Sequence, residues 1–202
     1  MMPTDLASAR TEVDAALNGI GLRLADLCRA ASQVILFGSR AAGVADDTSD
    51  WDILCVGGGQ RIRTRNVDIV WVSPTIICTE LWLGSELAAH VASYGRWLTG
   101  SQEWRHTARL SVGAVAGKVS AIESMVKELN RLWPHLVADV RIKYIRRVLL
   151  DVQRLQIMMR GEPVPPRAHL EQMGMLRDRQ AQDLSGVART LAAVLSSDGR
   201  EA

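Results

Sequence analysis

The chain has 202 residues, 48% of them apolar and 23% charged, with a formal net charge of +2. That length and composition fit one domain or two small ones with real hydrophobic cores. The small net charge excludes any argument from bulk electrostatics for a nucleic-acid partner.

Residues 5–31 place Leu6, Val13, Leu17, Leu22, Leu24, Leu27 and Ala31 at helical spacing. This predicts a helix capped by Thr4 and interrupted at Gly19–Gly21. The β-branched and apolar run 33–37, bounded by Gly38, predicts a buried strand; residues 51–56 and 67–72 predict two more. Gly57-Gly58-Gly59-Gln60 is a turn signal, and Arg61, Arg63 and Arg65 alternate after it as one face of an edge strand would. That face is either solvated or a basic strip beside an anionic substrate. After Pro74 the character changes: residues 79–100 are mixed and broken by Gly84, Gly95 and Gly100. Helices are then predicted over 108–132, stopped by Trp133-Pro134, and over 136–160. The second carries an apolar stripe of Val140, Tyr144, Ile145, Val148, Val152, Leu155 and Met159. Gly161 reads as a C-cap, Pro163, Pro165 and Pro166 as a rigid loop, 167–196 as one or two weaker helices, and 196–202 as a frayed end. The pattern is a small α/β unit to about residue 78, a connector, then a helical unit.

The chemistry concentrates where the first strand ends and the second begins. Gly38-Ser39 closes one apolar run, and Asp50-x-Asp52 opens the next. Backbone N–H groups and a hydroxyl at a strand end suit phosphate oxygens. Two hard carboxylates on one strand face suit Mg²⁺, with Mn²⁺ as a substitute. Alternation puts Asp50, Asp52 and Leu54 on one face and Trp51, Ile53 and Cys55 on the other. Asp68 stands inside the apolar run Val67 to Val72, where a lone carboxylate is costly unless paired or metal-bound. Beside Asp50 and Asp52 it would complete a carboxylate triad, and like charges that close need a divalent cation or a raised pKa. Two metals held in this way can clamp a triphosphate and activate a hydroxyl. The site requires the two strands to be neighbours.

This set of residues resembles the nucleotidyltransferase superfamily related to DNA polymerase beta: Gly38, Ser39 and Gly43, then Ser49-Asp50-x-Asp52, then the later strand residue Asp68. It is similar to the compact bacterial minimal and aminoglycoside nucleotidyltransferases. The likeness covers residues 33–72 by motif and 73–100 more loosely. It implies an α+β fold, with a small mixed-sheet nucleotidyltransferase catalytic domain over 1–100 followed by an α-helical bundle domain over 101–202. It implies that Asp50 and Asp52 bind both metals. Asp68 would bind the catalytic metal and help deprotonate the acceptor. Gly38 and Ser39 would hold the β- and γ-phosphates, with Arg40 and Lys143 as further nucleotide-binding candidates. The implied reaction is attack of an acceptor hydroxyl on the α-phosphate of a nucleoside triphosphate, with pyrophosphate leaving. The acceptor is left open among a small molecule such as an aminoglycoside, a protein side chain and an RNA end. Two features depart from the pattern. Only 15 residues separate Asp52 from Asp68, which implies a tight hairpin with less room for a substrate-binding insertion, and Trp51 is bulky for its place between the aspartates.

Other residues are weighed beside these. Lys143, Arg146 and Arg147 read most simply as a solvated helix face. Asp46 and Asp47 read as turn residues ahead of Thr48-Ser49. His90 and Tyr94, one helical turn apart, either line the cleft or pack. Nothing selects Glu123, Glu128 or Asp151 as an acceptor base. His106, His135 and His169 lack metal-ligand spacing. Trp82, Trp97, Trp104 and Trp133 read as core or interface residues. Cys28, Cys55 and Cys78, odd in number and without repeated spacing, read as small core residues. The 21 Arg against three Lys fit a GC-rich coding bias and say nothing by themselves of phosphate contacts. The longest apolar stretch, Val67 to Cys78, is broken and too short for a membrane span, and no charged n-region precedes an apolar segment at the N-terminus. A cytoplasmic location without membrane contact is expected. A different class of function stays open: a nucleotide-binding, antitoxin-like interaction protein with little turnover, whose helical half binds a protein partner. The Arg-x₄₋₆-His signature of partner RNases is missing from that half. A metal-dependent glycosyltransferase using Asp50-x-Asp52 is disfavoured by Gly38-Ser39 and Asp68.

Overall fold

The computed structural model describes residues 5–172, with Gly186 and Ala193 beyond them. Two compact units emerge. One runs from the N-terminal segment to Arg109 and takes in Pro165–His169; the other runs from Leu110 to Val164 and continues from Leu170.

The first unit opens with α1 (Leu6–Asn18), which buries Ala9, Val13 and Leu17 on one stripe. The expected helix over 5–31 is two helices, because Gly21 takes φ 76° and Leu22 N–H bonds back to the Leu17 carbonyl at 3.0 Å. That geometry ends one helix and redirects the chain. α2 (Leu24–Ala30) starts afresh, with Asp14 accepting from Leu24 N–H at 2.7 Å. The expected cap Thr4 lies outside the described residues. β1 (Ala31–Phe37), α3 (Gly38–Ala42), β2 (Trp51–Gly57), β3 (Ile62–Arg63), β4 (Val67–Val72), α4 (Glu80–Leu83), α5 (Glu86–Tyr94) and β5 (Arg96–Thr99) follow.

The five strands form a mixed sheet in the order β3-β4-β2-β1-β5. β1 runs antiparallel to both neighbours, whereas β2 and β4 pair in parallel, Asp52 opposite Asp68. The hairpin expected between the two aspartates is therefore a return crossing. The chain leaves Gly57, forms the two-residue β3 antiparallel to the outer edge of β4, and re-enters beside β2. β3 is shorter than the alternating arginines suggest. Both faces of the sheet are covered. Val34, Leu36, Ile53, Cys55, Val67 and Ile69 pack with Val13, Leu17, Leu24 and Leu27 of the first two helices. Ile35, Phe37, Leu54, Val56 and Val72 pack with Ala88 and Val91 of α5 and with Trp82, Trp97 and Trp104. Coverage on two faces explains the near-continuous apolar runs of the central strands. Gln33 Oε1 accepts from Trp97 Nε1 at 3.3 Å and from Trp104 Nε1 at 2.9 Å, so these indoles are core residues. Cys55 is buried, Cys28 half-buried and Cys78 exposed, so the last is not the core residue expected.

In the second unit α6 (Val112–Leu132) is capped by Ser111, whose side chain accepts from Ala114 N–H at 3.1 Å. α7 (Ala138–Met159) follows a 3-10 turn at Trp133–His135. Ile122, Leu129, Ile145, Val148, Val152 and Leu155 form the core between them. Tyr144, placed in the apolar stripe by spacing, is 38% exposed. Gly161 takes φ 70° just past α7, the left-handed conformation of a helix end. α8 (Arg167–Gln172) supplies Leu170 to a second cluster with Ile157, Met158 and Val164. The weaker helices expected beyond Gln172 and the frayed end lie outside the described residues. The fold is α+β, a small mixed sheet with its helices followed along the chain by a helical unit. Among the described residues no helix is long and apolar enough to cross a membrane.

α6 and α7 are also joined by Lys118 Nζ and Asp151 Oδ1 at 2.6 Å, with side chains only 14% and 16% exposed. Removing Asp151 takes from Lys118 a short ion-pair contact in a poorly solvated place. Asp151→Leu should therefore destabilise the helical unit by about 3 kcal/mol, while Lys118→Met with Asp151→Leu should recover most of the loss. Urea unfolding followed by circular dichroism measures both; equal losses in the single and double variants would remove the pair from the energetics of this core.

Candidate active site

The site is built at one end of the sheet. Phe37, the last residue of β1, lies opposite Asp52 in the antiparallel register. The chain then turns sharply, and Gly38 takes φ 74°. A Cβ at this position would collide with the Asp52 carboxylate, whose Cγ would lie 3.0 Å away. Glycine is required both by its dihedral and by the approach of Asp52. α3 starts here, presents Ser39 half-buried beside the aspartate strand, and ends at Gly43 with φ 72°.

The loop from Gly43 to Asp50 is tied internally. Asp46 Oδ1 accepts from Thr48 N–H at 3.0 Å, Thr48 Oγ1 at 2.8 Å and Ser49 Oγ at 2.9 Å. These donors, the hydroxyls of Thr48 and Ser49 first, hold the Asp46 carboxyl below the usual range. Asp46 is thus a turn residue. Arg40 donates from Nε and Nη2 to the Ser49 carbonyl at 3.1 and 2.7 Å, and its guanidinium lies 4.2 Å from the Trp51 ring centroid. Asp50, exposed, comes immediately before β2.

Asp52 and Asp68 are partners in the parallel register and so share a face. It is the face of Leu54, opposite Trp51, Ile53 and Cys55. Asp52 is pushed up to about 7, first by burial, then by the charges of Asp50 and Asp68, with Arg63 and Arg61 pulling the other way. Asp68 is 9% exposed and gripped in a fork: Arg61 Nε donates to Oδ1 at 3.0 Å and Nη2 to Oδ2 at 2.6 Å. Arg63, opposite Asp68 in the β3 register, has Nε 3.8 Å from Oδ2. The arginine strip is thus aimed at a carboxylate of the sheet. The alternation alone located the strip; its partner required the unexpected β3–β4–β2 order.

The residues suit a divalent cation in part. Asp50 and Asp52 offer hard oxygen donors; the Asp52 pKa is raised first by burial and then by the charges of Asp50 and Asp68, and a cation would offset the latter part. Asp68 is different, because Arg61 already neutralises it. Among the described residues no group of three or more His, Cys, Asp or Glu side chains gathers into a metal cluster. Asp50 and Asp52 are the side chains that would hold a cation; the Asp68 carboxylate is taken up by Arg61.

Of the remaining candidates, Lys143 is exposed on α7 in the helical unit. His90 is buried, with its ring 6.1 Å from Phe37 and 5.3 Å from Tyr94, so both α5 residues pack on the sheet face that carries Asp52.

No family model matches the chain, and no curated protein matches it. Among solved structures it is similar to a nucleotidyltransferase-like protein from Exiguobacterium sibiricum 255-15, at 13% identity over 84% of this chain and 71% of that one, with a TM-score of 0.42. A likeness at that level carries no argument about chemistry, which rests on the carboxylates themselves.

Two measurements probe the electrostatics. Asp52 has a folded-state value above the ordinary 3.8, so its share of stability is complete below that value and lost as pH climbs through about 7. Asp52→Asn should therefore raise the Tm in chelator at pH 8, by about 2–4 °C for each kcal/mol relieved. The gain should shrink toward zero at pH 4; an equal gain at both pH values in calorimetry would contradict the shift. Arg61→Gln removes the forked partner of Asp68 and leaves Arg63 3.8 Å away, so Mn²⁺ binding followed by electron paramagnetic resonance should tighten, about tenfold if the competition is worth 1.4 kcal/mol. Unchanged affinity would mean that Arg61 does not compete.

Proposed function

We propose that the chain is a Mg²⁺-dependent nucleotidyltransferase that moves a nucleoside monophosphate from a nucleoside triphosphate to a hydroxyl acceptor. The observation that carries this reading is the convergence at one sheet end: the Gly38-Ser39 corner against Asp52, Asp50 just before β2, and Asp68 beside Asp52 in register. In this reading residues 1–100 form the catalytic domain and 101–202 a helical domain.

Asp50 and Asp52 would hold Mg²⁺, joined by Asp68 when Arg61 lets go. When bound, the cation supplies charge neutralisation for the triphosphate and Lewis-acid polarisation at phosphorus. Gly38 and Ser39 would bind the β- and γ-phosphates through backbone N–H and hydroxyl, which orients the α-phosphate for attack. Released Arg61 and the half-free Arg63 would offer guanidinium groups to anionic oxygens nearby. Asp68 is the candidate to accept the acceptor's proton. The new bond joins the acceptor oxygen to the α-phosphorus, the bridge to the β-phosphate breaks, and the electron pair leaves with pyrophosphate. Lys143 is a proposed nucleotide contact. The acceptor remains a small molecule, a protein side chain or an RNA end.

One observation favours a second reading. The bidentate Arg61–Asp68 pair occupies the carboxylate that turnover needs, as suits a nucleotide-binding interaction protein with a protein partner and little turnover.

A thermal-shift screen of the native chain with each nucleoside triphosphate and Mg²⁺ tests the proposal. Ligand at about 100 times its Kd stabilises by about 2.7 kcal/mol, and Asp50→Asn with Asp52→Asn should abolish that shift. Pyrophosphate release on adding acceptors then separates the enzyme from the binding protein. No shift with any triphosphate, in a protein that melts cooperatively, would defeat both readings.

A further inference from the structure

We infer that Arg40 is a positioning residue of the cation site, setting the place of Asp50 by holding the residues on either side of it. The inference rests on the reading of Asp50 and Asp52 as cation ligands and assigns a role to a side chain outside that ligand set. Asp50 is exposed and precedes β2, so the sheet ladder does not fix it. Its neighbours are fixed instead. The Ser49 carbonyl accepts two bonds from the Arg40 guanidinium, at 2.7 and 3.1 Å, and the Trp51 ring lies under the same group at 4.2 Å. One planar group thus clamps the chain before and after the carboxylate.

The clamp has a base. Arg40 sits on α3, whose Ala41 carbonyl accepts from Arg96 Nε of β5 at 2.7 Å. The other side of the loop is closed as well: Ser49 Oγ donates to Asp46 Oδ1 at 2.9 Å, and Ser49 N–H bonds the Asp46 carbonyl at 3.1 Å. Trp51 N–H bonds the Asn66 carbonyl at 2.8 Å, which pins the ring's own backbone beside β4. The large side chain between the aspartates has a use in this arrangement, because its ring is the platform on which Arg40 lies. A forked, flat cation is needed for both contacts at once; lysine offers a point charge and cannot reproduce them.

The sign of the effect separates positioning from plain electrostatics. Removing a nearby cation should tighten binding of a divalent cation, as expected for Arg61. Removing a positioning residue should weaken it, since groups that orient ligands typically cost about 10–100-fold in metal affinity when lost. The experiment is Mn²⁺ titration of the nucleotide-free chain by electron paramagnetic resonance, with Tm measured alongside. Arg40→Gln and Arg40→Lys should both weaken Mn²⁺ binding about tenfold or more, with Lys failing to rescue although the charge is kept. Trp51→Phe, which keeps a ring, should stay close to native. Should Arg40→Gln fail to fold, Trp51→Leu removes the ring under Arg40 while keeping an apolar side chain against the core, and with Tm measured alongside it carries the same test. Unchanged or tighter Mn²⁺ binding in the folded Arg40 variants overturns the inference, as does rescue by Lys. A native chain that binds no Mn²⁺ sensitive to Asp50→Asn overturns instead the reading on which it rests.

Discussion

The site depends on like charge held at one end of a sheet. Parallel pairing of β2 with β4 sets Asp52 directly beside Asp68 on the same face, and Asp50 precedes Asp52 by two residues. Carboxylates on neighbouring strands repel, and partial burial denies them the water that would screen the repulsion. The molecule answers this in two ways. Asp68 is neutralised by the Arg61 fork with Arg63 nearby, while Asp52 keeps a proton up to about pH 7.

Around that cluster the backbone is arranged for close approach. Gly38 brings the end of β1 against Asp52, where any side chain would collide. The loop that follows is closed by Asp46, Thr48, Ser49 and Arg40 and returns the chain to β2 at Trp51. Rigidity in that loop matters because a carboxylate outside the ladder has no strand partner to hold it. An arginine on α3 and another before β3 thus act on the cluster in opposite senses. Arg40 holds the backbone on either side of Asp50, and Arg61 pairs with the side chain of Asp68.

The helical unit follows different physics. Its core is a stripe of aliphatic residues on α6 and α7, and Lys118 with Asp151 is a poorly solvated ion pair between the helices. The attraction within such a pair is largely offset by the desolvation of both charges, so the loss of one member costs more than the pair contributes. Asp151 is accordingly engaged in packing within the unit.

Much of this was legible in the chain itself. Period-two alternation separates Asp50, Asp52 and Leu54 from Trp51, Ile53 and Cys55, because successive strand side chains must point to opposite faces. Gly38 signalled a turn, the apolar runs gave the three central strands, and 3.6-residue spacing gave the long helices, since each pattern is local. Pairing is not local. That β2 and β4 run parallel rather than as a hairpin, that β3 shrinks to two residues, and that Arg61 reaches Asp68 all depend on which strand lies beside which. The exposure of Cys78 and Tyr144 was likewise decided by what covers them, not by their own polarity. Local sequence determined which residues could serve a phosphate and cation site. The tertiary structure alone decided which charges meet there, because register and strand order bring together groups that no spacing along the chain connects.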